Sequence, residues 1–250
     1  MKVVLITGAS RGLGKNMALH LSKKGYHILF TYKSSQNEAK ITQKEIEKNG
    51  VKAAFLQLDT SDIKNFESFS LHVKDILEKE FKIDKLYALI NNAGIGVYAP
   101  FESASEEDFD KAFNTNVKGV FFLTQKLLPC IQNGGKILNV SSGLARFTLP
   151  NYSAYAATKG AIEVLTRYMA KELASRQIRV NVIAPGAIET DFGGGAVRDN
   201  KDVNSFIASV VALGRAGLPD DIGSAVSAII SDDFNWVTGE RIEVSGGMCL

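Results

Sequence analysis

The chain has 250 residues, of which 45% are hydrophobic and 22% are charged, as in an ordinary globular protein. Its 29 basic and 27 acidic residues leave a net charge of +2, which gives no support to a nucleic-acid or membrane-surface role. No apolar run approaches the about 18 residues of a membrane span. We therefore expect a cytoplasmic protein that binds neither membranes nor nucleic acid and that uses no metal.

Short apolar segments alternate with longer amphipathic segments along the chain. The short segments predict strands at residues 3–7, 27–32, 52–58, 86–90, 136–140, 178–184 and 241–244. The amphipathic segments predict helices near 12–24, 36–49, 62–80, 106–129, 152–174 and 219–231. Because apolar strands bounded by helices are typical of a parallel sheet covered on both faces, we expect a doubly wound α/β fold. No linker or repeat divides the chain, so residues 1–250 are predicted to form one domain.

A glycine-rich turn follows the first predicted strand. In "TGASRGLG" (7–14), Gly8, Gly12 and Gly14 allow the backbone to turn sharply, to approach a pyrophosphate and to begin a helix. The N-terminus of that helix offers free N–H groups and the positive end of a dipole to phosphates. The pattern therefore predicts dinucleotide binding.

This Thr-Gly-x-x-x-Gly-x-Gly spacing resembles that of the short-chain dehydrogenase/reductase family, and the resemblance extends from Val3 to about Met248. It implies a Rossmann domain whose parallel strands lie in the order 3-2-1-4-5-6-7. With "NNAG" (91–94) and "APGAIETD" (184–191), it also implies further cofactor contacts. These are Ser10, Arg11, Leu13, Asp59, Thr60, Asn92, Ala93, Gly94, Pro185, Gly186, Ile188 and Thr190.

The end of the second strand bears on which dinucleotide binds. NAD-binding Rossmann proteins usually carry an acid there, whereas this strand ends in Tyr32, Lys33 and Ser34. Lys33 can offer a positive charge and Ser34 a hydrogen bond to a 2′-phosphate, and the resemblance places Arg11 at the same group. We therefore expect NADP(H) as the cofactor, with NAD(H) less favoured.

Four polar residues form the predicted catalytic group. Tyr155 lies four positions before Lys159, so both fall on one face of a helix, and Ser142 follows the fifth strand at the ligand-binding edge. With Asn116 they resemble the family's catalytic tetrad. Tyr155 would give a proton to a carbonyl oxygen, while Lys159 lowers the tyrosine's pKa and holds the nicotinamide ribose. Ser142 would hydrogen-bond that oxygen, and Asn116 would hold a water that returns the proton.

A second tyrosine leaves an alternative open. Tyr152 and Lys159 have the Tyr-x₆-Lys spacing that resembles enoyl carrier-protein reductases. Those enzymes usually carry methionine at the position of Tyr155 and lack the serine, so Tyr155 and Ser142 favour reduction of a ketone or β-ketoacyl group. A protein that binds NADP without catalysis is a further alternative, which the four polar groups argue against.

Residues 190–212 are predicted to form a mobile substrate lid. Three glycines (193–195) would act as a hinge, and Val203, Phe206 and Ile207 begin the pattern of an amphipathic helix. The residues expected to contact a small-molecule or acyl-thioester substrate are Ser142, Leu144, Phe147, Tyr152 and Phe192.

The helices near 106–129 and 152–174 carry more apolar and small residues than one sheet face requires. In the family the corresponding helices pair across a two-fold axis. The resemblance therefore implies a homodimer, or a homotetramer formed through the strand at 241–244.

Overall fold

A parallel sheet runs through the computed structural model, which describes residues 1–250. Its strands are β1 (Val3–Ile6), β2 (His27–Tyr32), β3 (Ala53–Gln57), β4 (Leu86–Asn91), β5 (Ile131–Val140), β6 (Arg179–Pro185) and β7 (Arg241–Val244). They lie in the order β3-β2-β1-β4-β5-β6-β7, which confirms the predicted doubly wound fold. The winding direction changes between β1 and β4, and ligands of such sheets bind where this change opens a crevice.

Helices cover both faces of the sheet. They are α1 (Gly12–Lys23), α2 (Gln36–Glu47), α3 (Phe66–Ile76), α4 (Glu106–Phe113), α5 (Gly119–Leu127), α6 (Ser153–Glu172), α7 (Ala196–Asp199), α8 (Lys201–Val210) and α9 (Pro219–Ile230). The helix predicted near 106–129 is continuous, with a π-helical turn at Asn114–Lys118 between its two α-helical parts, α4 and α5. None of these helices combines the length and apolar character needed to cross a membrane.

Alternate side chains of the central strands pack into two separate apolar layers, one on each face of the sheet. Val4 and Ile6 of β1 belong to the cluster under α1, α2 and α9, whereas Val3 and Leu5 belong to the cluster under α3 and α5. All four side chains are fully buried. Burying each such side chain stabilises the fold by about 1.5–3 kcal/mol, and this explains why the strand is apolar at every position.

The region predicted as a lid forms a short 3₁₀ turn followed by α7 and α8. Gly193, Gly194 and Gly195 have φ of +63°, +72° and +78°, values that favour glycine. Ile207 of α8 is buried against Val211 and Met248, so the predicted amphipathic helix is present. The mobility of this region stays a prediction.

The outer faces of α4, α5 and α6 leave aromatic side chains exposed. Phe109, Phe121 and Tyr168 are 44%, 42% and 64% exposed. Because large apolar side chains grouped on one surface often mark an interface, these positions support the predicted homodimer.

We expect Phe121→Glu and Tyr168→Glu to dissociate the assembly, because a carboxylate loses its hydration in an apolar interface. Light scattering would show each variant shifted towards the mass of one chain, 27.1 kDa. Leu71→Glu, which changes an equally exposed side chain on α3, should leave the assembly intact. A wild-type mass of one chain at micromolar concentration would refute the assembly.

Candidate active site

A cavity of about 790 Å³ opens at the carboxyl edge of the sheet, and its walls extend from the glycine turn to Ile207 of α8. Two predicted site residues, Tyr32 and Asn116, lie outside these walls. The walls contain all the others: Gly8, Ser10, Arg11, Gly12, Leu13, Gly14, Lys33, Ser34, Asp59, Thr60, Asn92, Ala93, Gly94, Ser142, Leu144, Phe147, Tyr152, Tyr155, Lys159, Pro185, Gly186, Ile188, Thr190 and Phe192.

The glycine turn gives the cavity the shape of a phosphate site. Gly8 and Gly12 have φ of +66° and +57°, and a Cβ on Gly14 would lie only 2.5 Å from the Gly8 carbonyl oxygen. No side chain caps the N-terminus of α1, and its first turn carries no acidic residue. The first N–H groups of the helix are therefore free to bind an anion, which is what a dinucleotide pyrophosphate requires.

Thr7 and Asn92 fasten this turn to the end of β4. The Thr7 hydroxyl accepts hydrogen bonds from the backbone N–H groups of Asn92 and Ala93 at 3.0 and 2.9 Å. The Asn92 amide donates to the Thr7 carbonyl at 2.8 Å. These hydrogen bonds from the "NNAG" segment fix the position of the glycine turn relative to the end of β4.

The residues predicted to select the cofactor follow β2, and some of them line the cavity whereas one does not. Tyr32 is buried in the core with its ring 5.6 Å from that of Phe55 and does not line the cavity, so its contact with the cofactor stays a prediction. Lys33 lines the cavity and forms an ion pair with Asp59 at 2.8 Å. The hydrogen bonds from Lys33 and Ser61 outweigh burial and hold the pKa of Asp59 below its usual value.

Tyr155 and Lys159 both lie on α6, one helical turn apart, and both are buried. The Lys159 amine donates a hydrogen bond to the Val140 carbonyl at 2.9 Å and lies 5.5 Å from the centre of the Tyr155 ring. Burial lowers the pKa of Lys159 to about 8. α6 therefore places a buried amine beside a buried phenol at the end of β5.

Burial also raises the pKa of Tyr155 to about 12, although a hydrogen bond with the Ser142 hydroxyl opposes this change. The expectation that Lys159 lowers the Tyr155 pKa towards neutrality stays a prediction, although burial raises this pKa here. This increase occurs because the loss of hydration, which disfavours the phenolate, exceeds the effect of the neighbouring groups.

Ser142 is held by its own loop and by a charged cluster behind it. Its hydroxyl accepts a hydrogen bond from the Leu144 N–H at 3.2 Å, at the start of a short 3₁₀ turn. The preceding residue, Ser141, donates to Glu163 of α6 at 2.7 Å, and Arg241 of β7 donates to the same carboxylate oxygen at 2.7 Å. Three elements thus converge on the strand end that carries Ser142.

Asn116 lies in the π-helical turn behind the cavity and is 1% exposed. Its side chain accepts a hydrogen bond from the Ile95 N–H at 2.9 Å and donates to the Ile95 carbonyl at 2.9 Å and the Thr158 hydroxyl at 3.1 Å. Both amide hydrogens and one lone pair of the amide oxygen are thus used by the protein, and the water-binding role of Asn116 stays a prediction.

Aromatic side chains line the other half of the cavity. The rings of Tyr98 and Tyr152 lie 5.1 Å apart, and that of Phe192 lies 5.9 Å from Tyr155. The sequence analysis missed Tyr98, Phe206 and the C-terminal Met248 as wall residues. Tyr98 and Met248 lie outside the helices and strands, where no periodicity shows which way side chains point, although the aromatic residue shortly after "NNAG" was a usable signal for Tyr98. Phe206 lies on α8, whose periodicity does not show which residues reach the cavity.

Comparison with known proteins agrees with this geometry. The family model described as enoyl-(acyl carrier protein) reductase matches residues 8–249. Tetrahydroxynaphthalene reductase of Pyricularia oryzae is 33% identical over 262 residues, covering 100% of this chain and 90% of the relative. The chain therefore belongs to the short-chain dehydrogenase/reductase family of oxidoreductases, as its motifs predicted.

Solved structures give the same result. The promiscuous reductase LugOII, described as catalysing keto-reduction at C1 during lugdunomycin biosynthesis, has a TM-score of 0.94 and 34% identity, covering 100% of this chain and 98% of that chain. The angucycline C-6 ketoreductase LanV with bound NADP has a TM-score of 0.93 and 31% identity, covering 99% of this chain and 95% of that chain. The fold and the chain length are thus shared with ketoreductases.

The lowered pKa of Lys159 predicts a specific dependence of stability on pH. Since burial lowers this pKa from 10.5 to about 8, the unfolded chain binds more protons between these values, and the wild type gains stability as the pH rises through them. Relative to Lys159→Met, the wild-type free energy of unfolding should rise by about 3 kcal/mol between about pH 7 and about pH 10.5. Urea unfolding of both proteins across this range measures the difference, and a constant difference would contradict the assignment.

Proposed function

We propose that the chain is an NADP(H)-dependent ketoreductase that converts an aromatic or other largely apolar ketone to an alcohol. The observation that carries the proposal is the grouping of Tyr155, Lys159 and Ser142 in the cavity that also contains the glycine turn. Ketoreductase relatives at 31–34% identity, one with bound NADP, support it.

The cavity walls fit the cofactor from one end to the other. The glycine turn and the N-terminus of α1 would hold the pyrophosphate, and Arg11, Lys33 and Ser34 would hold the 2′-phosphate. Lys159 would bind the nicotinamide ribose. The wall residues of the Pro-Gly loop, Ile188 and Thr190 among them, would hold the carboxamide. When bound, NADPH supplies the hydride for carbonyl reduction.

Tyr155 is the proposed proton donor. With a pKa of about 12, its hydroxyl keeps its proton at neutral pH and can release it when negative charge develops on the carbonyl oxygen. Ser142 would donate a hydrogen bond to the same oxygen. The cavity thus offers two hydroxyl donors to one developing alkoxide.

Lys159 would stabilise the phenolate once the proton has left. A positive charge about 5.5 Å away is worth about 3 kcal/mol at an effective dielectric constant of 20. With a pKa of about 8, the amine carries this charge through most of the neutral range. Asn116 would act as a positioning residue, since its side chain links the loop at Ile95 to Thr158 of α6.

The apolar half of the cavity favours a ketone that carries aromatic rings. Its walls include the aromatic rings of Tyr98, Tyr152 and Phe192, and no arginine lines this half. Arg146, the one nearby cation in sequence, is turned away and pairs with Glu243 at 2.8 Å. The phosphate of a carrier-bound acyl thioester would therefore find no cation to pair with, and we propose a small-molecule substrate.

Enoyl reduction through Tyr152 is the competing activity, in line with the description of the matching family model. Ser142, whose hydroxyl lies close enough to Tyr155 to affect its pKa, favours Tyr155 as the donor instead. Tyr152 packs against Tyr98, and burial raises its pKa.

We expect Tyr155→Phe to lower kcat for ketone reduction by about 10²–10⁴-fold while NADPH still binds, because only the proton donor is lost. Tyr152→Phe is the matched control and should keep most of the activity. Stopped-flow turnover and NADPH fluorescence titration measure the two properties. An active Tyr155→Phe together with an inactive Tyr152→Phe would assign the reaction to Tyr152. A wild type that binds NADPH but reduces no member of a ketone and enoyl-thioester panel would support the non-catalytic alternative.

We expect the wild type to prefer bicyclic hydroxyaryl ketones to acyl thioesters and small aliphatic ketones. Tyr98→Ala should lower kcat/KM for the aromatic ketones about 3–10-fold through loss of ring contacts, and should affect an aliphatic ketone less. Leu71→Ala, which truncates an exposed apolar side chain outside the cavity walls and outside the proposed interface, is the control. Equal losses for both substrate classes would contradict an aromatic substrate.

A further inference from the structure

A carboxylate missed by the sequence analysis lies in the cofactor half of the cavity. We propose that Glu38 sets cofactor selectivity: it weakens the preference for a 2′-phosphorylated cofactor and allows the chain to use NADH as well. This inference rests on the proposed function, because it concerns the same nucleotide site.

The start of α2 leaves Glu38 unpaired. Ser35 and Glu38 have the Ser-x-x-Glu spacing of a capping box, in which the two side chains would bond to the backbone of each other's residues. The structure shows no side-chain cap at Ser35, and both residues line the cavity instead. The Oε2 atom of Glu38 is buried and has no hydrogen-bond partner.

An unpartnered buried carboxylate oxygen is costly, so its place in a ligand cavity calls for an explanation. The N-terminus of α2 offsets part of the cost, because Glu38 lies in its first turn. Because Oε2 is buried, a hydroxyl donor on a ligand in the cavity would reach the carboxylate through its other oxygen, Oε1. The Glu38 carboxylate therefore favours a sugar hydroxyl, which can donate a hydrogen bond to it, and repels an anion.

The neighbouring contacts show which part of the cavity Glu38 faces. Thr42 lies one turn later on the same face of α2, and its hydroxyl donates to the Ser10 carbonyl in the glycine turn at 2.9 Å. This face of α2 therefore packs against the turn that carries Arg11. Lys33, just before α2, lines the same end of the cavity.

The charges at this end cancel. Arg11 and Lys33 are the cations and Glu38 and Asp59 are the anions, with Lys33 already paired to Asp59 at 2.8 Å. A 2′-phosphate carries about two negative charges near neutral pH. It would be attracted by the two cations and repelled by Glu38. A ribose with a free 2′-hydroxyl could instead donate a hydrogen bond to Glu38, so NADH remains a usable cofactor.

Fluorescence titration with NADPH and with NADH tests this without turnover. We expect Glu38→Gln to tighten NADPH binding about fivefold and to weaken NADH binding about twofold, moving the ratio of dissociation constants about tenfold. Glu47→Gln removes the same charge from the exposed end of α2 and should leave the ratio within about twofold of wild type. Glu38→Ala should move the ratio in the same direction as Glu38→Gln.

Each outcome decides between the claims. An unchanged ratio in both Glu38 variants, or weaker NADPH binding in them, refutes the role of Glu38 and leaves the proposed function intact. A ratio that moves equally in Glu47→Gln shows a general charge effect and also refutes it. A wild type that binds neither nucleotide overturns both proposals. Thermal unfolding confirms that each variant folds.

Discussion

The hydrogen bond from the buried Lys159 amine to the Val140 carbonyl is the contact on which the site depends. It joins α6 to the last residue of β5, so the helix cannot slide along the strand without breaking it. Tyr155 is thereby held one helical turn away, and Ser142 follows two residues after Val140. This contact, together with the hydrogen bond from Ser141 to Glu163, holds the strand end that carries Ser142 against the helix that carries Tyr155.

The same contact holds a charged amine in a buried position. This burial lowers the stability of the fold but places a positive charge beside the reacting phenol. Burial lowers the pKa of Lys159 to about 8 and raises that of Tyr155 to about 12, so below about pH 8 the unreacted protein holds a neutral phenol beside a charged amine. The pair becomes favourable when the phenol loses its proton, because the phenolate then gains a nearby positive charge. This gain in interaction energy comes from two buried side chains on one helix and not from mobile groups at the surface.

The fold was predictable from the sequence because its signals are local. Apolar runs marked every strand, although β5 begins at Ile131 and not at residue 136, where the Gly-Gly pair obscured the pattern. The alternation of a strand also places Tyr32 on the same face as the buried Phe30, so its core position could have been inferred. The hydrogen bonds of Asn116, the approach of Met248 to the cavity and the unformed cap at Glu38 depend on tertiary contacts that no local pattern contains.

The pH dependence of ketone reduction tests the central claim, that a charged Lys159 supports proton donation by Tyr155. If this is correct, kcat/KM falls as the pH rises through about 8, because Lys159 loses its charge while Tyr155 keeps its proton. Tyr152→Phe should show the same descending limb. A wild-type profile that stays flat to about pH 10 would contradict the account, because it would mean that the charge on Lys159 does not contribute to the reaction.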